Sequence, residues 1–296
     1  MAEPWRHGGV FDGVAEAYDT HRSGYPREIV AAAVEVAGLE HGARVVEVGS
    51  GTGKLTEELV ASRLRVDAVE PGSNMIELAR RRVNNSDLVR FHLGRFEDVS
   101  LPVAGFAAVF SGSAFHWVDP SVSWAKAAAL LRPGRTLALL QPIGVRDEAD
   151  GTAVDELEEA FARLAPEIAV EFPALRDLAT IRAGVEARRE NVSEVWAWLA
   201  HPGLAVPEAG NLFGPATFTA VARIQQQTAG ELWARFETTA VFHRLPPRVR
   251  AALQAENERI IDRAGGTLRF AQLVALVTAS AQGSRRKLHP CVEAGP

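Results

Sequence analysis

The 296-residue sequence predicts an α/β fold, a doubly wound and mostly parallel sheet with helices on both faces. Short apolar segments of strand length alternate with amphipathic segments of helical period over residues 26–141. A glycine-rich turn, Gly49-Ser50-Gly51-Thr52-Gly53, follows the first apolar segment. Strands joined through helices run parallel, so their carboxyl ends meet at one edge of the sheet, where ligands of such folds bind.

The first half of the chain gives the clearest alternation of elements. We predict helices over residues 26–37, 54–62, 73–83 and 119–132, and strands over residues 43–48, 66–70, 88–93, 105–110 and 136–141. Ser73 is expected to cap the third helix. Asp119 and Pro120 begin the fourth, as a capping acid followed by proline at the first helical position. The segment Arg132-Pro133-Gly134 ends that helix.

The second half is mainly helical. Helical patterns cover residues 154–164, 174–189, 193–199, 231–245 and 248–264, and strands are predicted at 217–227 and 268–278. We therefore predict four regions. They are a leader and ligand-binding core (1–141), a helical lid insertion (142–215), the rest of the core (216–282) and a loose tail (283–296).

Composition limits the classes of function. The net charge of −5 disfavours a dedicated nucleic-acid binder. The single cysteine, Cys291, excludes an intramolecular disulfide and a cysteine-based zinc cluster, and no metal site is predicted. No apolar run approaches about 18 residues, and the N-terminus lacks a signal-peptide core, so no membrane span and a cytoplasmic location are expected.

Three ligands compete for the glycine turn. A phosphate loop requires Gly, four residues and then Gly-Lys-Ser/Thr, but Val48 and Leu55 occupy the first and last of those positions. A dinucleotide turn requires G-x-G-x-x-G, whereas Gly53 comes one residue early. The third ligand is S-adenosylmethionine (SAM). Glu70, at the tip of the second strand, can accept hydrogen bonds from ribose hydroxyls, which both NAD and SAM carry.

A family resemblance favours SAM. The pattern Glu47-x-Gly49-x-Gly51-x-Gly53 followed by Glu70-Pro71-Gly72-Ser73-Asn74-Met75 resembles the class I SAM-dependent methyltransferases. The leader Phe11–Asp19 with Arg22-Ser23-Gly24-Tyr25-Pro26 looks like that of small-molecule members, and Ala114–Pro120 is similar to the trans-aconitate methyltransferase-like subgroup. The resemblance implies a seven-stranded Rossmann-like sheet of order 3-2-1-4-5-7-6, with strand 7 antiparallel.

The resemblance also implies a cofactor site. SAM is the implied cofactor, and S-adenosylhomocysteine (SAH) is its product. The residues expected to contact it are Tyr18, Arg22, Tyr25, Glu47, Gly49, Ser50, Gly51, Glu70, Pro71, Met75, Phe96, Glu97 and Ser111. Many relatives have an aspartate for the adenine amino group where this chain has Arg95. Because arginine has no acceptor, Glu97 or backbone carbonyls are expected to replace it.

The methyl acceptor is harder to predict. His116 is interpreted either as a general base facing the acceptor or as a residue with a local hydrogen bond. Trp117, Trp196 and Phe213 are read either as an apolar acceptor pocket or as packing. The main hypothesis is methyl transfer to a small-molecule metabolite, with the chain a monomer or homodimer and no nucleic-acid partner. Alternatives are an NAD-dependent oxidoreductase and a non-catalytic SAM-binding protein.

Overall fold

A computed structural model describes residues 8–146, 152–169, 175–200 and 203–282. These residues form a seven-stranded sheet of order β3-β2-β1-β4-β5-β7-β6. The strands are β1 (Arg44–Val48), β2 (Arg65–Glu70), β3 (Val89–Leu93), β4 (Phe106–Gly112), β5 (Leu131–Gly144), β6 (Thr217–Gln227) and β7 (Leu268–Ser280). Strand β7 runs antiparallel to both neighbours, and all other pairs are parallel. The predicted fold class is therefore confirmed.

Helices flank this sheet. They are α1 (Ala15–His21), α2 (Arg27–Val36), α3 (Lys54–Ala61), α4 (Ser73–Arg82), α5 (Pro120–Leu130), α6 (Thr152–Leu164), α7 (Pro166–Ala169), α8 (Leu178–Glu186), α9 (Val192–Ala200), α10 (Ala209–Leu212), α11 (Ala229–Glu237), α12 (Ala240–Arg244) and α13 (Pro247–Arg263). Segments of 3₁₀ helix span Gly8–Val14 and Phe115–Trp117. Helices α6 to α10 lie between β5 and β6, where the helical insertion was predicted.

The sheet carries a hydrophobic layer on each face. Successive strand side chains point to opposite faces, so Val45 joins one buried cluster and Val46 the other. The first cluster includes side chains of α2 and α3, such as Ile29 and Leu59, and the second includes Trp124 of α5. Full burial of one such aliphatic side chain stabilises the fold by ~1.5–3 kcal/mol. The two layers hold the carboxyl ends of the strands in place. They therefore also position the residues that follow those strand ends.

One predicted cap is wrong. Helix α4 begins at Ser73 itself, and Gly72 occupies the cap position without a side-chain hydrogen bond. The cap comes from the leader instead. Asp12 Oδ1 accepts hydrogen bonds from the amides of Asn74 (2.8 Å) and Met75 (3.3 Å). A carboxylate at this end of a helix also complements its dipole.

Two other boundaries differ from the predictions. Residues 231–245 form two helices because Thr239 caps α12 by accepting from the Phe242 amide, which separates it from α11. Helix α5 ends at Leu130, and β5 starts at Leu131, well before the predicted start at residue 136. Asp119 does cap α5, with Pro120 at its first position, as predicted.

Some predictions fall outside the described residues. The tail 283–296, including Cys291, lies there, as do residues 147–151, 170–174 and 201–202 of the predicted lid. The division of the chain into the four regions stays a prediction. In the described ranges, no helix combines the length and apolar character that crossing a bilayer requires.

Candidate functional site

The glycine turn connects β1 to α3. The amides of Gly49 and Ser50 both donate to the carbonyl of Val69, at 2.9 and 3.1 Å, which ties the turn to the end of β2. All three glycines have positive φ, +71° for Gly49, +53° for Gly51 and +83° for Gly53. Glycine adopts such angles without steric cost, so the turn can be this tight.

The three glycines face different surroundings. A Cβ on Gly49 would lie 2.3 Å from the Cβ of Ala114, and one on Gly53 would lie 2.9 Å from the Cα of Ala79. A Cβ on Gly51 would meet no atom within 4 Å. Gly49 and Gly53 therefore let protein segments pack closely, whereas Gly51 leaves open space above the backbone.

Glu70 connects the turn to the second strand tip. Its Oε2 accepts from the Gly51 amide and its Oε1 from the Gly72 amide, both at 2.9 Å. Burial raises the pKa of Glu70, and these two hydrogen bonds oppose that rise. An ionised carboxylate has about four lone-pair sites, so each oxygen can accept a further bond from a ligand.

Glu47, the acid of strand β1, is buried next to the start of the turn. Its Oε2 accepts a hydrogen bond of 2.7 Å from the Thr56 hydroxyl. The pKa of Glu47 is raised to about 8, mainly by burial; the Thr56 hydrogen bond opposes this rise and the charge of Glu70 supports it. A cation brought next to this carboxyl would favour its ionised form.

Ser50 supplies a further polar group in the turn. Its side chain is buried, and its Oγ has no hydrogen-bond partner among the described residues. A buried hydroxyl without a partner costs free energy, which a ligand atom can offset.

The N-terminal leader packs against this edge. The Phe11 ring makes edge contacts with Tyr18 (5.9 Å between centroids) and Trp117 (5.2 Å). The Tyr25 hydroxyl lies 3.0 Å from Ser113 Oγ, just beyond β4. Burial raises the pKa of both tyrosines, so their hydroxyls stay protonated near neutral pH.

An ion-pair group fixes the leader to the core. Asp19 accepts from Lys54 (3.2 Å) and from Arg82 (2.6 Å), and Lys54 also donates to the Asp19 carbonyl at 2.8 Å. Burial acts to raise the pKa of Asp19, but its hydrogen bonds, including those from Arg82 and Lys54, lower it overall. The lysine that completes the partial phosphate-loop pattern thus binds the leader.

Other predicted residues lie at the same strand tips. Pro71 is exposed, whereas Met75 and Phe96 are buried. Ser111 donates its hydroxyl to the Val48 carbonyl at 2.8 Å, which links β4 to β1. Glu97 accepts from Arg95 (2.6 Å) and from the Asp119 amide (3.0 Å). Its role at adenine stays a prediction, and the carboxylate already has two protein partners.

The residues predicted around the acceptor form a second group. His116 lies beside Trp117, at 4.8 Å between ring centroids, and 6.5 Å from Trp196. Trp196 and Phe213 are almost fully buried in the larger hydrophobic cluster. His116 and Trp117 are partly exposed. The catalytic and pocket roles of these four residues stay predictions.

Several residues of the site carried no predicted role. Asp12 caps α4, Thr56 bonds Glu47, and Arg223 and Arg235 approach the leader from β6 and α11. Asp12 lies within the leader motif, which offered a signal of importance. The arginines gave no such signal because arginine is common along the whole chain. Among the described residues, no cluster of histidine, cysteine or acidic side chains could hold a metal ion.

Part of this chain is similar in sequence to known proteins. Residues 46–139 match the family model described as "Methyltransferase domain". The chain is 35% identical over 153 residues to an uncharacterized methyltransferase of Mycobacterium tuberculosis, covering 52% of this chain and 59% of that protein. It is 31% identical over 124 residues to the ubiquinone biosynthesis O-methyltransferase of Methylocella silvestris, covering 38% and 48%. The matches thus span about half of each relative.

Solved structures agree on the fold. A candidate type II methyltransferase from Anaeromyxobacter dehalogenans has a TM-score of 0.59 at 22% identity, covering 88% of this chain and 97% of that one. A candidate methyltransferase of an antibiotic biosynthesis pathway in Anabaena variabilis has a TM-score of 0.53 at 16% identity, covering 86% and 96%. At these identities the likeness concerns the fold alone.

The sheet order agrees with the one that the resemblance to class I SAM-dependent methyltransferases implies. The segment that matches the family model, residues 46–139, begins in β1 and ends in β5. This segment contains the glycine turn, Glu70 and the tip of β4. The narrower resemblance to the trans-aconitate methyltransferase-like subgroup stays a prediction.

Proposed function

We propose that this protein transfers a methyl group from SAM to a small-molecule acceptor. The observation that carries the proposal is the coupling of Glu70 to Gly51. One buried carboxylate holds the amide of the single turn glycine that has open space above it. A ligand on this turn therefore meets the backbone and the carboxylate together, as a nucleoside with an attached amino acid requires.

The residues present fit this cofactor. Gly49, Ser50 and Gly51 would receive its amino acid part, and the unpartnered Ser50 hydroxyl offers a polar contact there. Glu47 would attract the ammonium group, and Glu70 would accept from the ribose hydroxyls. Pro71, Met75, Phe96 and Glu97 would surround the adenine, with Ser111 near the carboxylate end. When bound, SAM supplies an electrophilic methyl group on a sulfonium.

The protein's own contribution is alignment and exclusion of water. Displacement at a sulfonium needs the acceptor in line and held close, and effective positioning can supply ~7–11 kcal/mol of barrier reduction. The leader, tied to the core by Asp12 and Asp19, would cover the site. His116 would take a proton from an acceptor that needs deprotonation, and Trp117, Trp196 and Phe213 would shape the acceptor pocket.

The alternatives receive less support. An NAD-dependent oxidoreductase would require a third glycine at position 54, which is Lys54, and that lysine is bonded to the leader. A non-catalytic SAM-binding protein would share the cofactor site, so only a turnover measurement separates it from an enzyme.

Methyl-labelled SAM provides that measurement. We expect incubation of the protein with labelled SAM and host extract to yield a labelled small molecule, identified by mass analysis. The Gly51→Val variant, which fills the space above the turn, serves as the inactive control. Label in RNA or protein would contradict the small-molecule acceptor, and SAM binding without any labelled product would favour the non-catalytic alternative.

A further inference from the structure

Three half-buried arginines meet beside the leader. Arg22 belongs to the leader, Arg223 to β6 and Arg235 to α11. Arg22 Nε donates to the Thr238 hydroxyl at 2.8 Å, and Arg235 Nη1 donates to the Gln225 amide oxygen at 3.0 Å. Arg223 Nη1 donates to the backbone carbonyl of residue 24 at 3.3 Å. We call these three side chains the arginine cluster.

Among the described residues, the hydrogen-bond partners of the arginine cluster are all neutral. In the described part of the chain, no carboxylate forms a salt bridge with Arg22, Arg223 or Arg235, although the protein has 37 acidic residues. Burial, together with the like charges of Arg22 and Arg223, lowers the pKa of Arg235 to about 10. Burial also lowers the pKa of Arg22.

Such an arrangement disfavours the folded protein by itself. Partly desolvated charges are normally paired, and like charges brought together repel one another. Apolar side chains of similar length would pack in these positions without that cost. The cost is offset when a negative group from solution enters the cluster. Guanidinium groups suit carboxylate and phosphate oxygens in particular because they donate in a planar fork.

The arginine cluster lies next to the proposed cofactor site. The Arg22 guanidinium is 5.6 Å from the centre of the Tyr18 ring. The Tyr18 hydroxyl is close enough to Glu70 and to Arg235 that both charges influence its pKa, in opposite directions. Tyr18 therefore lies near both the carboxylate at the tip of β2 and the arginines.

We propose that the arginine cluster binds an anionic group, a carboxylate or phosphate, on the methyl acceptor. This rests on the proposed function and names a class of acceptor for it. The cluster would hold the anion near Tyr18, beside the cofactor site. Acceptor recognition would then involve β6 and α11, in addition to the helices of the predicted lid.

One other occupant has to be distinguished. The carboxylate of SAM could pair with Arg22, which the resemblance assigns to the cofactor. The resemblance assigns only the leader residue Arg22 to the cofactor, whereas Arg223 and Arg235 belong to β6 and α11. The assignment therefore concerns chiefly Arg223 and Arg235, and their substitution separates the two occupants.

The test uses the full chain loaded with SAH and labelled with ¹⁵N-arginine. Inorganic phosphate and acetate are titrated separately, with chloride at matched ionic strength as the reference. We expect at least one of the two anions to shift the Nε–H signals of Arg22, Arg223 and Arg235 and to reach saturation. Comparison of the phosphate titration with the acetate titration then identifies which of the two anions the arginine cluster binds more tightly. Arg81→Met, which removes an exposed positive charge on α4, should leave these shifts unchanged.

Two variants complete the test. Arg223→Met and Arg235→Met should each weaken the anion response about tenfold or more and leave the SAH dissociation constant within about twofold. Without anion, their thermal midpoints should equal or exceed that of the wild type because repulsion is relieved. The proposal is overturned if neither anion moves the three signals beyond the chloride reference, or if both variants lose SAH binding. Failure of the wild type to bind SAH would instead overturn the proposed function.

Discussion

Glu47 illustrates how a single buried carboxyl can connect the fold to a ligand. Its one protein hydrogen bond comes from Thr56, and burial keeps its pKa near 8. In the free protein this carboxyl is therefore mostly protonated at neutral pH. Val46 and Val48, the neighbours of Glu47 in β1, are buried apolar residues. An apolar residue at position 47 would serve packing equally well, so packing does not explain the acid.

This pKa predicts a pH dependence of stability. The folded pKa of Glu47 lies above its ordinary value of 4.5, so the folded state binds the proton more tightly than the unfolded state. The stabilising contribution is fully present below about pH 4.5 and is lost as the pH rises through about 8. We expect Glu47→Gln, which resembles the protonated form, to gain in free energy of unfolding relative to wild type over that range. Denaturant unfolding of both proteins at several pH values measures it, and parallel curves would contradict the assignment.

The turn glycines predict a contrast between two alanine substitutions. Gly49→Ala places a Cβ 2.3 Å from Ala114 at positive φ, so it should reduce stability by about 2–5 kcal/mol. Gly51→Ala meets no atom and should cost about 1–2 kcal/mol, from its backbone angle alone. SAH binding should nevertheless be lost in the second variant. Urea unfolding and calorimetry separate the two effects, and intact SAH binding by Gly51→Ala would show that no ligand approaches there.

At the scale of elements, the strands and most helices could be predicted because apolar periodicity records which side is buried. The helix starts were less predictable. Asp119 caps its own helix and was found, but α4 is capped by Asp12 from 62 residues away, and no local pattern shows that. The break between α11 and α12 depends on the Thr239 hydroxyl, which a periodicity argument does not weigh.

The long-range cap leads to a matched pair of variants. Asp12→Ala should reduce stability by about 1 kcal/mol and speed hydrogen exchange at the amides of Asn74 and Met75. Ser73→Ala should leave both properties nearly unchanged because Ser73 makes no cap hydrogen bond. Urea unfolding and amide exchange measure the difference. Equal behaviour of the two variants would mean that Asp12 does not hold the leader to α4.

At the scale of the whole molecule, sheet order and the convergence of strand tips follow from strand–helix alternation and the family resemblance. The glycine turn and Glu70 could be predicted from the same two sources. The arginine cluster was not, because Arg22 and its partner Thr238 are 216 residues apart and meet only in the folded chain. A site that combines a leader, an edge strand and a helix needs coordinates to be recognised.

The most direct test of the central claim is calorimetric titration of the wild type and of Glu70→Ala with SAH, and of the wild type with NAD⁺. We predict that wild type binds SAH but not NAD⁺. Loss of hydrogen bonds to a charged carboxylate, worth about 1.5–3 kcal/mol, should weaken SAH binding roughly 10- to 100-fold in the variant. Tight NAD⁺ binding without SAH binding, or unchanged SAH affinity in Glu70→Ala, would contradict the account.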